Sequence, residues 1–160
     1  MSKNCKTLKP IETADSRVLI LGTFPGPLSL QECQYYAHPR NVFWRIMAEL
    51  LGFDSNSNYE RKTQALKSNG IALWDVLEKC DRDGAADANI QNPVANDFKS
   101  FYLRHPKINR VFFNGHKAEN LYFHLVPFAE IQGDYLPSTS PANAAIPFER
   151  KLEAWLSVIN

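Results

Sequence analysis

Short aliphatic runs alternate along the chain with longer segments in which apolar residues recur every three or four positions. The aliphatic runs end in Gly or in polar residues, which is typical of buried parallel strands. The strands predicted in this way are Arg17–Gly22, Ile71–Val76, Arg110–Gly115 and Glu130–Ser138. The longer segments indicate amphipathic helices. The helices predicted in this way are Asn41–Gly52, Tyr59–Gly70, Asn96–Pro106, His116–Val126 and Pro147–Ile159.

Several residues mark the expected ends of these elements. Asn96 is expected to cap its helix, Pro127 to end the helix that precedes it, and Pro147 to occupy the first turn of the last helix. Residues 77–94 are rich in Asp, Gly, Ala and Asn, and they predict a loop. Residues 1–16 are expected to form a lead-in to the first strand.

The alternation of strands and helices predicts an α/β fold. We expect one domain over residues 1–160, built as a three-layer αβα sandwich around a mainly parallel four-stranded sheet. In open sheets of this kind, ligands bind beyond the carboxyl ends of the strands. Here those ends carry polar or conformationally special residues, in the stretches GTFPG, DVLEK, NGHK and PSTSPAN. Their coincidence predicts a single site at that edge of the sheet.

Composition narrows the class of protein only modestly. Hydrophobic residues make up 44% of the 160 residues and charged residues 22%, which is typical of a globular domain. We find no apolar run long enough to span a membrane and no signal peptide, so we expect a cytoplasmic location and no membrane partner. The net charge of +1 neither supports nor excludes a nucleic-acid partner.

The cysteine pattern predicts neither a disulfide framework nor a metal site. Cys5, Cys33 and Cys80 are scattered along the chain. None belongs to a Cys-x-x-Cys pair or to a Cys/His cluster with the spacing of a zinc site. We therefore expect ordinary reduced thiols, no metal and no other cofactor.

The stretch after the first strand, GTFPGPLS, is stiff and rich in glycine and proline. Its prolines restrict the backbone, which leaves the amide groups of Gly22, Thr23 and Phe24 available to a ligand. The spacing is neither that of a dinucleotide fingerprint nor that of a phosphate-binding loop. A rigid connection without a functional role is the structural alternative.

The next stretch, QYYAHPRN, combines aromatic, basic and amide side chains. This combination is expected where a base is stacked and its neighbouring backbone is held. The candidates are Tyr36, His38, Arg40 and Asn41. These residues also have possible structural roles. One of the two adjacent tyrosines can be a core aromatic, His38 can act as a cap, and Asn41 can cap the following helix.

Two later strand ends carry further candidates. Asp75 ends an otherwise apolar strand, where a carboxylate must be solvated, paired or functional. Asn114, His116 and Lys117 lie where a strand meets a helix N-terminus, a place that favours an anion such as phosphate.

The stretch PSTSPAN adds small hydroxylated residues. Ser138, Thr139 and Ser140 suit a tight phosphate contact, and they are also ordinary turn residues. Motifs of serine or cysteine nucleophiles, metalloproteases and zinc deaminases are missing from the chain. The sequence therefore favours water chemistry managed by amide and carboxylate groups.

Together these stretches resemble the motifs of the uracil-DNA glycosylase superfamily. GTFPGPLS and YYAHPRNVFWRIMAELLGF are similar to the first motif region of its mismatch-specific branch. SNGIALWDV resembles its base-reading strand, FFNGHKA its strand–helix junction, and LPSTSPANA its second catalytic motif. The matches occur in the expected order over residues 17–145. The resemblance implies the fold predicted above and a hydrolase that acts on DNA.

Three positions depart from the better-known branches. Phe24 stands where the mismatch-specific branch carries its catalytic asparagine, Ser138 where others carry His or Asn, and Asp75 where the uracil enzymes carry Asn. With YYAHPRN and PSTSPAN, this combination is similar to the hypoxanthine-DNA glycosylase family, whose catalytic asparagine lies in the Pro-Arg-Asn segment. The resemblance implies a monofunctional enzyme of base excision repair that extrudes a deaminated base, hypoxanthine first, and hydrolyses its N-glycosidic bond.

The resemblance also implies roles for the candidate residues. Asn41 is expected to position or activate water towards C1′ of the deoxyribose, and Tyr36 to lie against the plane of the base. The further residues expected at the base are Gly22, Thr23, Phe24, Asp75 and Asn114. The residues expected at DNA phosphates are His38, Arg40, Ser138, Thr139, Ser140, His116 and Lys117. The expected partner is DNA that contains a damaged base, and the expected oligomeric state is a monomer.

The type of residue at position 75 permits a separate hypothesis about selectivity. An ionised Asp75 can accept a hydrogen bond from N1–H of hypoxanthine, whereas adenine offers only an acceptor at N1. Uracil also has an N–H between two carbonyl groups, so Asp75 alone does not exclude it.

Three alternatives to a hypoxanthine-DNA glycosylase remain. They are a mismatch-specific uracil or thymine glycosylase, an inactive DNA-binding module of the same fold, and a hydrolase of small nucleotides.

Overall fold

A computed structural model describes residues 5–126, 131 and 133–160 of the chain. Its strands, in chain order, are β1 (Val18–Gly22), β2 (Ile71–Asp75), β3 (Leu77–Asp81), β4 (Gln91–Ala95), β5 (Arg110–Asn114) and β6 (Gly133–Leu136). Its helices are α1 (Pro27–Glu32), α2 (Phe43–Leu51), α3 (Tyr59–Ser68), α4 (Phe98–Arg104), α5 (His116–Leu125) and α6 (Phe148–Trp155). Short 3₁₀ turns occupy Asp87–Asn89, Pro141–Asn143 and Leu156–Val158.

The central sheet has four strands in the order β2-β1-β5-β6. All three neighbouring pairs are parallel, which confirms the predicted sheet. Gly22 lies opposite Asp75 in the β1–β2 ladder, and Asn114 lies opposite Leu136 in the β5–β6 ladder. The carboxyl ends of the strands therefore meet at one edge.

Alternate residues of β1 face two separate layers. Ile20 packs into a core cluster that contains residues of α2 and α6, whereas Leu19 and Leu21 pack into a cluster with residues of α4 and α5. Side chains of a strand point to opposite faces in turn, so a strand that is apolar at every position needs a cover on both faces. The helices supply those covers, which confirms the three-layer αβα sandwich.

The prediction of a loop over residues 77–94 is wrong. β3 and β4 pair as an antiparallel hairpin in this segment. Both strands are mostly exposed or half-buried, so they lack the apolar alternation that identifies a strand. Asn92 also has a positive φ of 51°, and the register shifts between the paired residues.

Local predictions at helix ends need three further corrections. The sequence pattern did not predict α1, although Pro27 at its start is a recognised signal. Asp97, and not Asn96, caps α4 by accepting a hydrogen bond from the amide of Ser100. Pro147 precedes α6 as its N-cap residue. The predicted stop at Pro127 lies outside the described residues, as do Glu130 and Gln132 of the predicted fourth strand.

The expectation of three reduced thiols is wrong for two of them. Cys5 and Cys33 form a disulfide whose Cα atoms are 5.5 Å apart. The two residues are 28 positions apart, so no local spacing indicates the pair. Cys80 is a free cysteine. None of the helices in the described part of the chain is both long and apolar enough to cross a bilayer.

Candidate active site

A cavity of about 400 Å³ opens beyond the carboxyl edge of the sheet. This volume lies within the range of small-molecule sites in proteins. The loop after β1, the loop after β6 and the loop of the β3–β4 hairpin form much of its wall. Tyr36, Asn41, Asp75 and Asn114 also line it. Candidate residues from this edge of the sheet therefore line one cavity.

Gly22 brings two polar side chains close together at the base of the cavity. A methyl group on Gly22 would lie 2.6 Å from Oδ1 of Asp75 and 2.7 Å from Oη of Tyr36. Real Cβ atoms essentially never come this close to another atom, so any side chain at position 22 would force Asp75 and Tyr36 to move. The absence of a side chain on Gly22 lets the carboxyl of Asp75 and the hydroxyl of Tyr36 both approach the end of β1.

Asn114 holds the loop after β6 and the ring of Tyr36 in place. Its Nδ2 donates to Oη of Tyr36 at 3.0 Å and to Oγ1 of Thr139 at 2.9 Å. Its Oδ1 accepts from the amide of Thr139 at 2.9 Å. The carbonyl of Thr139 in turn accepts from the amide of Val42, just before α2. One buried amide thus connects β5 with two loops of the cavity.

Asp75 is a buried acid at the end of β2, with 5% of its surface exposed. Burial raises the pKa of its carboxyl to about 7, and the neighbouring charge of Asp87 contributes to the rise, whereas Arg82 opposes it. Desolvation disfavours the charged form of any acid. Asp75 therefore changes its protonation state near neutral pH, where an enzyme can use either form.

Tyr36 adopts a backbone conformation that is uncommon for a residue with a side chain, with φ 53°. Such strain is often found at functional sites. Its ring packs against Phe43 with 4.3 Å between centroids. Burial and the neighbouring Asp75 raise the pKa of the Tyr36 hydroxyl, so the group stays protonated. Tyr35, in contrast, is a core residue whose hydroxyl donates to the carbonyl of Lys9.

Asn41 lies in the turn that leads into α2. Its Oδ1 accepts a hydrogen bond from the amide of Phe43 at 2.9 Å. The N-cap residue of α2 is Val42, so the structural alternative of Asn41 as the cap of this helix is wrong. In the described part of the chain, no hydrogen-bond partner is found for its Nδ2. His38 is exposed at the rim, and its Nδ1 accepts from the amide of Arg40 at 3.1 Å.

Two loops bring the remaining cavity residues together. Phe24 is half-buried in the wall, and Thr23 is buried beside it. Ser138 and Ser140 are half-buried, and Oγ of Ser138 accepts from the amide of Ser140 at 3.2 Å. Thr139 is buried, with its hydroxyl engaged by Asn114. Oγ of Ser140 accepts from the amide of Ala142 at 3.2 Å, which shapes the following 3₁₀ turn.

Three candidates lie outside the cavity wall. Arg40, His116 and Lys117 are exposed. His116 stacks on Tyr135 with 3.7 Å between ring centroids and an angle of 9°. Lys117 lies near enough to Asp87 for its charge to lower the pKa of that acid.

The sequence-based reasoning missed the contribution of the hairpin loop. Arg82, Ala85, Ala86 and Asp87 line the cavity, yet they belong to the segment predicted as a plain loop. The local signal was the density of charge in CDRDG, which is also common in solvated loops. Their placement depends on the path of β3 and β4 across the cavity.

Comparison with known proteins identifies the family of the chain. The sequence profile of the uracil DNA glycosylase superfamily matches residues 10–159. A hypoxanthine DNA glycosylase of Methanosarcina acetivorans is 36% identical over 145 residues, which covers 90% of each chain. A hypoxanthine DNA glycosylase of Methanosarcina barkeri is 39% identical over 110 residues, 68% of this chain and 70% of that protein.

A solved structure shows the same fold. The solution NMR structure of a Methanosarcina acetivorans protein described as a candidate uracil DNA glycosylase has a TM-score of 0.83 and 34% identity to this chain. The alignment covers 99% of this chain and 97% of that one.

The match to this superfamily and to relatives named as DNA glycosylases shows that the chain is a DNA glycosylase, a hydrolase of N-glycosyl bonds. The chain belongs to the uracil DNA glycosylase superfamily.

Proposed function

We propose that the protein removes hypoxanthine from DNA by hydrolysing the bond between the base and C1′ of the deoxyribose. Both Methanosarcina relatives are named hypoxanthine DNA glycosylase, and these names support the proposed substrate. The proposal rests on the position of two side-chain oxygens, Oδ1 of Asp75 and Oη of Tyr36, which both lie close to Gly22. A monomeric state and a cytoplasmic location are part of the same proposal.

The pair of oxygens complements one edge of hypoxanthine. Asp75, once ionised, accepts from N1–H of the base. The hydroxyl of Tyr36 already accepts from Asn114, so its own hydrogen is available to O6. Adenine presents the reverse pattern, an acceptor at N1 and a donor at N6, which an ionised Asp75 and the hydrogen of the Tyr36 hydroxyl do not match. Each unpaired buried polar group costs about 1–3 kcal/mol, so the site is expected to favour hypoxanthine over adenine.

Asn41 has the chemistry needed to hold the attacking water. Its Oδ1 is fixed by the amide of Phe43, so the orientation of the side-chain amide is set. The Nδ2 group can then donate to the oxygen of a water molecule. An amide is a poor base, so we assign to Asn41 the positioning of water and not its deprotonation.

The reaction balances without a cofactor. The bond between C1′ and the purine nitrogen breaks, and its electron pair leaves with the base. The water oxygen bonds to C1′, and the proton released from water neutralises the departing base. The base must first leave the duplex stack to enter the cavity. Positive charge develops on the sugar as the bond breaks, as in other glycosyl transfers.

Asn114 and Thr139 receive positioning roles in this proposal. Both side chains are buried and spend their hydrogen bonds on each other and on Tyr36. The groups that remain for DNA phosphates are the more exposed ones around the mouth, and they are His38, Arg40, Ser138, Ser140, His116 and Lys117.

The test uses end-labelled duplexes that carry one hypoxanthine, uracil, xanthine or adenine at the same position. After incubation with enzyme, alkali cleaves each strand at an abasic site. We expect cleavage at hypoxanthine and none at adenine. Cleavage at uracil alone would overturn the substrate assignment, and binding without cleavage of any duplex would favour an inactive module.

Three variants assign the roles. Asn41→Ala is expected to lower the rate of hypoxanthine excision by about a hundredfold, as loss of a positioned polar group typically does. Its matched control is Asn58→Ala, which removes the same kind of side-chain acceptor from the start of α3. Asp75→Asn is expected to lower the rate on hypoxanthine at least tenfold, because its amide replaces part of the acceptor with a donor. Full rate and selectivity in Asp75→Asn would refute the role of the carboxylate.

A further inference from the structure

The β3–β4 hairpin brings a buried arginine to the cavity. The side chain of Arg82 is 6% exposed. Its Nη2 donates to the carbonyl of Pro25 at 2.7 Å, and its Nε donates to the carbonyl of Gly84 at 3.0 Å. Its guanidinium also lies 5.5 Å from the centre of the Phe24 ring. Arg82 therefore fastens the hairpin loop to the loop that follows β1.

The same arginine reaches a second acid at the cavity. Nη1 of Arg82 lies 3.7 Å from Oδ1 of Asp87, whose side chain is 46% exposed. Burial raises the pKa of Asp87, and the hydroxyl of Thr23 and the charges of Arg82 and Lys117 oppose that rise. Burial outweighs the hydroxyl and the two cations, so the pKa of this half-exposed carboxyl lies above its ordinary value.

The two acids of the cavity lie in contrasting environments. Asp75 is buried at the end of β2, and Asp87 is half-exposed on the hairpin loop. An extruded nucleotide enters base first, so its base lies deep and its sugar stays close to the mouth. Asp75 then faces the base, whereas Asp87 faces the sugar. Pairs of acids in different environments commonly divide the work of a reaction in this way.

We propose that Asp87 is a second active-site carboxylate, which stabilises positive charge on the deoxyribose as the base departs, and that Arg82 positions it. The inference rests on the proposed glycosylase reaction. A carboxylate at the mouth repels the phosphates of DNA, so it weakens binding of the substrate. It accelerates the reaction because its attraction to the sugar is strongest in the transition state.

The experiment separates charge stabilisation from a structural role. Single-turnover excision of hypoxanthine is followed at several enzyme concentrations, which yields a maximal rate and a half-saturating concentration. Asp87→Asn keeps the shape of the side chain and removes the charge. Asp83→Asn is the matched control, since Asp83 is exposed on the same loop and does not line the cavity.

We expect Asp87→Asn to lower the maximal rate by about 10- to 100-fold, the effect of losing one electrostatic contact to a transition state. The half-saturating concentration stays the same or falls, because a repulsive charge has gone. The melting temperature stays within about 2 °C, as for most surface substitutions. Asp83→Asn leaves all three quantities unchanged.

A rate for Asp87→Asn within twofold of wild type would overturn the proposal. A parallel loss of rate, DNA affinity and melting temperature would also overturn it, because it would indicate a purely structural contact. Absence of hypoxanthine excision by the wild-type enzyme would instead contradict the proposed substrate, and the same variants would then be measured on the base that is excised.

Arg82 is tested through its dependence on Asp87. If Arg82 acts by positioning Asp87, Arg82→Gln lowers the maximal rate, and the double variant with Asp87→Asn is no slower than the slower single variant. Rate losses that multiply in the double variant would show that Arg82 acts independently. Should Arg82→Gln fail to fold, Arg82→Lys keeps the charge and permits the same cycle.

Discussion

The side-chain amide of Asn114 donates to the hydroxyl of Tyr36 at 3.0 Å, across 78 positions of sequence. This contact fixes the hydroxyl over the end of β1, where the carboxyl of Asp75 also approaches Gly22. Asn114 also satisfies both the amide and the hydroxyl of Thr139. The geometry of the cavity therefore depends on one asparagine at the end of a buried strand.

Replacement of Asn114 tests whether the geometry of the cavity depends on this residue. Asn114→Ala leaves the amide of Thr139 without its partner and releases the hydroxyl of Tyr36. We expect the free energy of unfolding to fall by about 2–4 kcal/mol, because buried donors lose their hydrogen bonds. Denaturation in urea measures this change. Asn120→Ala, at an exposed position on α5, is the control and is expected to be nearly neutral; equal effects of the two variants would contradict the argument.

Gly22 offers a test of close packing. The methyl group of Gly22→Ala meets Oδ1 of Asp75 and Oη of Tyr36 at under 3 Å, so both side chains must move. We expect a loss of about 1–3 kcal/mol in the free energy of unfolding and at least a tenfold loss of excision rate. Gly26→Ala, on the same loop with no atom within 4 Å of the added methyl, should preserve both. A Gly22→Ala enzyme with wild-type activity would show that activity does not need both oxygens this close to Gly22.

The raised pKa of Asp75 predicts how stability depends on pH. Between pH 3.8 and about 7 the unfolded chain releases a proton that the folded protein retains on Asp75. Stability therefore falls as pH rises through this interval and levels off above it, by about 4 kcal/mol at most. Asp75→Asn removes the titrating group and, with it, this part of the pH dependence of stability. Relative to wild type, the variant should gain stability between pH 5 and pH 8 in urea denaturation; a difference that does not change with pH would refute the shift.

The disulfide predicts a dependence on reductant. The bond between Cys5 and Cys33 closes a loop of 28 positions, for which the loss of chain entropy in the unfolded state corresponds to about 3.5 kcal/mol. Reduction or Cys5→Ser should lower the melting temperature, and Cys80→Ser should not. Identical melting curves of wild-type protein with and without reductant would show that the bond contributes nothing.

Much of the site was predictable because it lies at the ends of buried strands. Apolar runs identify β1, β2 and β5, and in a parallel sheet the residues that end such runs converge. The strand pattern alone therefore places Gly22, Asp75 and Asn114 together. The hairpin was missed because its exposed strands carry no apolar alternation, and Arg82 and Asp87 were missed with it.

The sequence by itself determined the fold class, the edge of the sheet that carries the site and the candidates along QYYAHPRN, since these depend on local periodicity and on residue types. Only the tertiary structure decided which side chains meet. Hydrogen bonds such as Asn114 to Tyr36, the pairing of Cys5 with Cys33, and the reach of Arg82 to Pro25 join distant parts of the chain. The desolvation that raises the pKa of Asp75 likewise arises from elements packed around it, which no local pattern encodes.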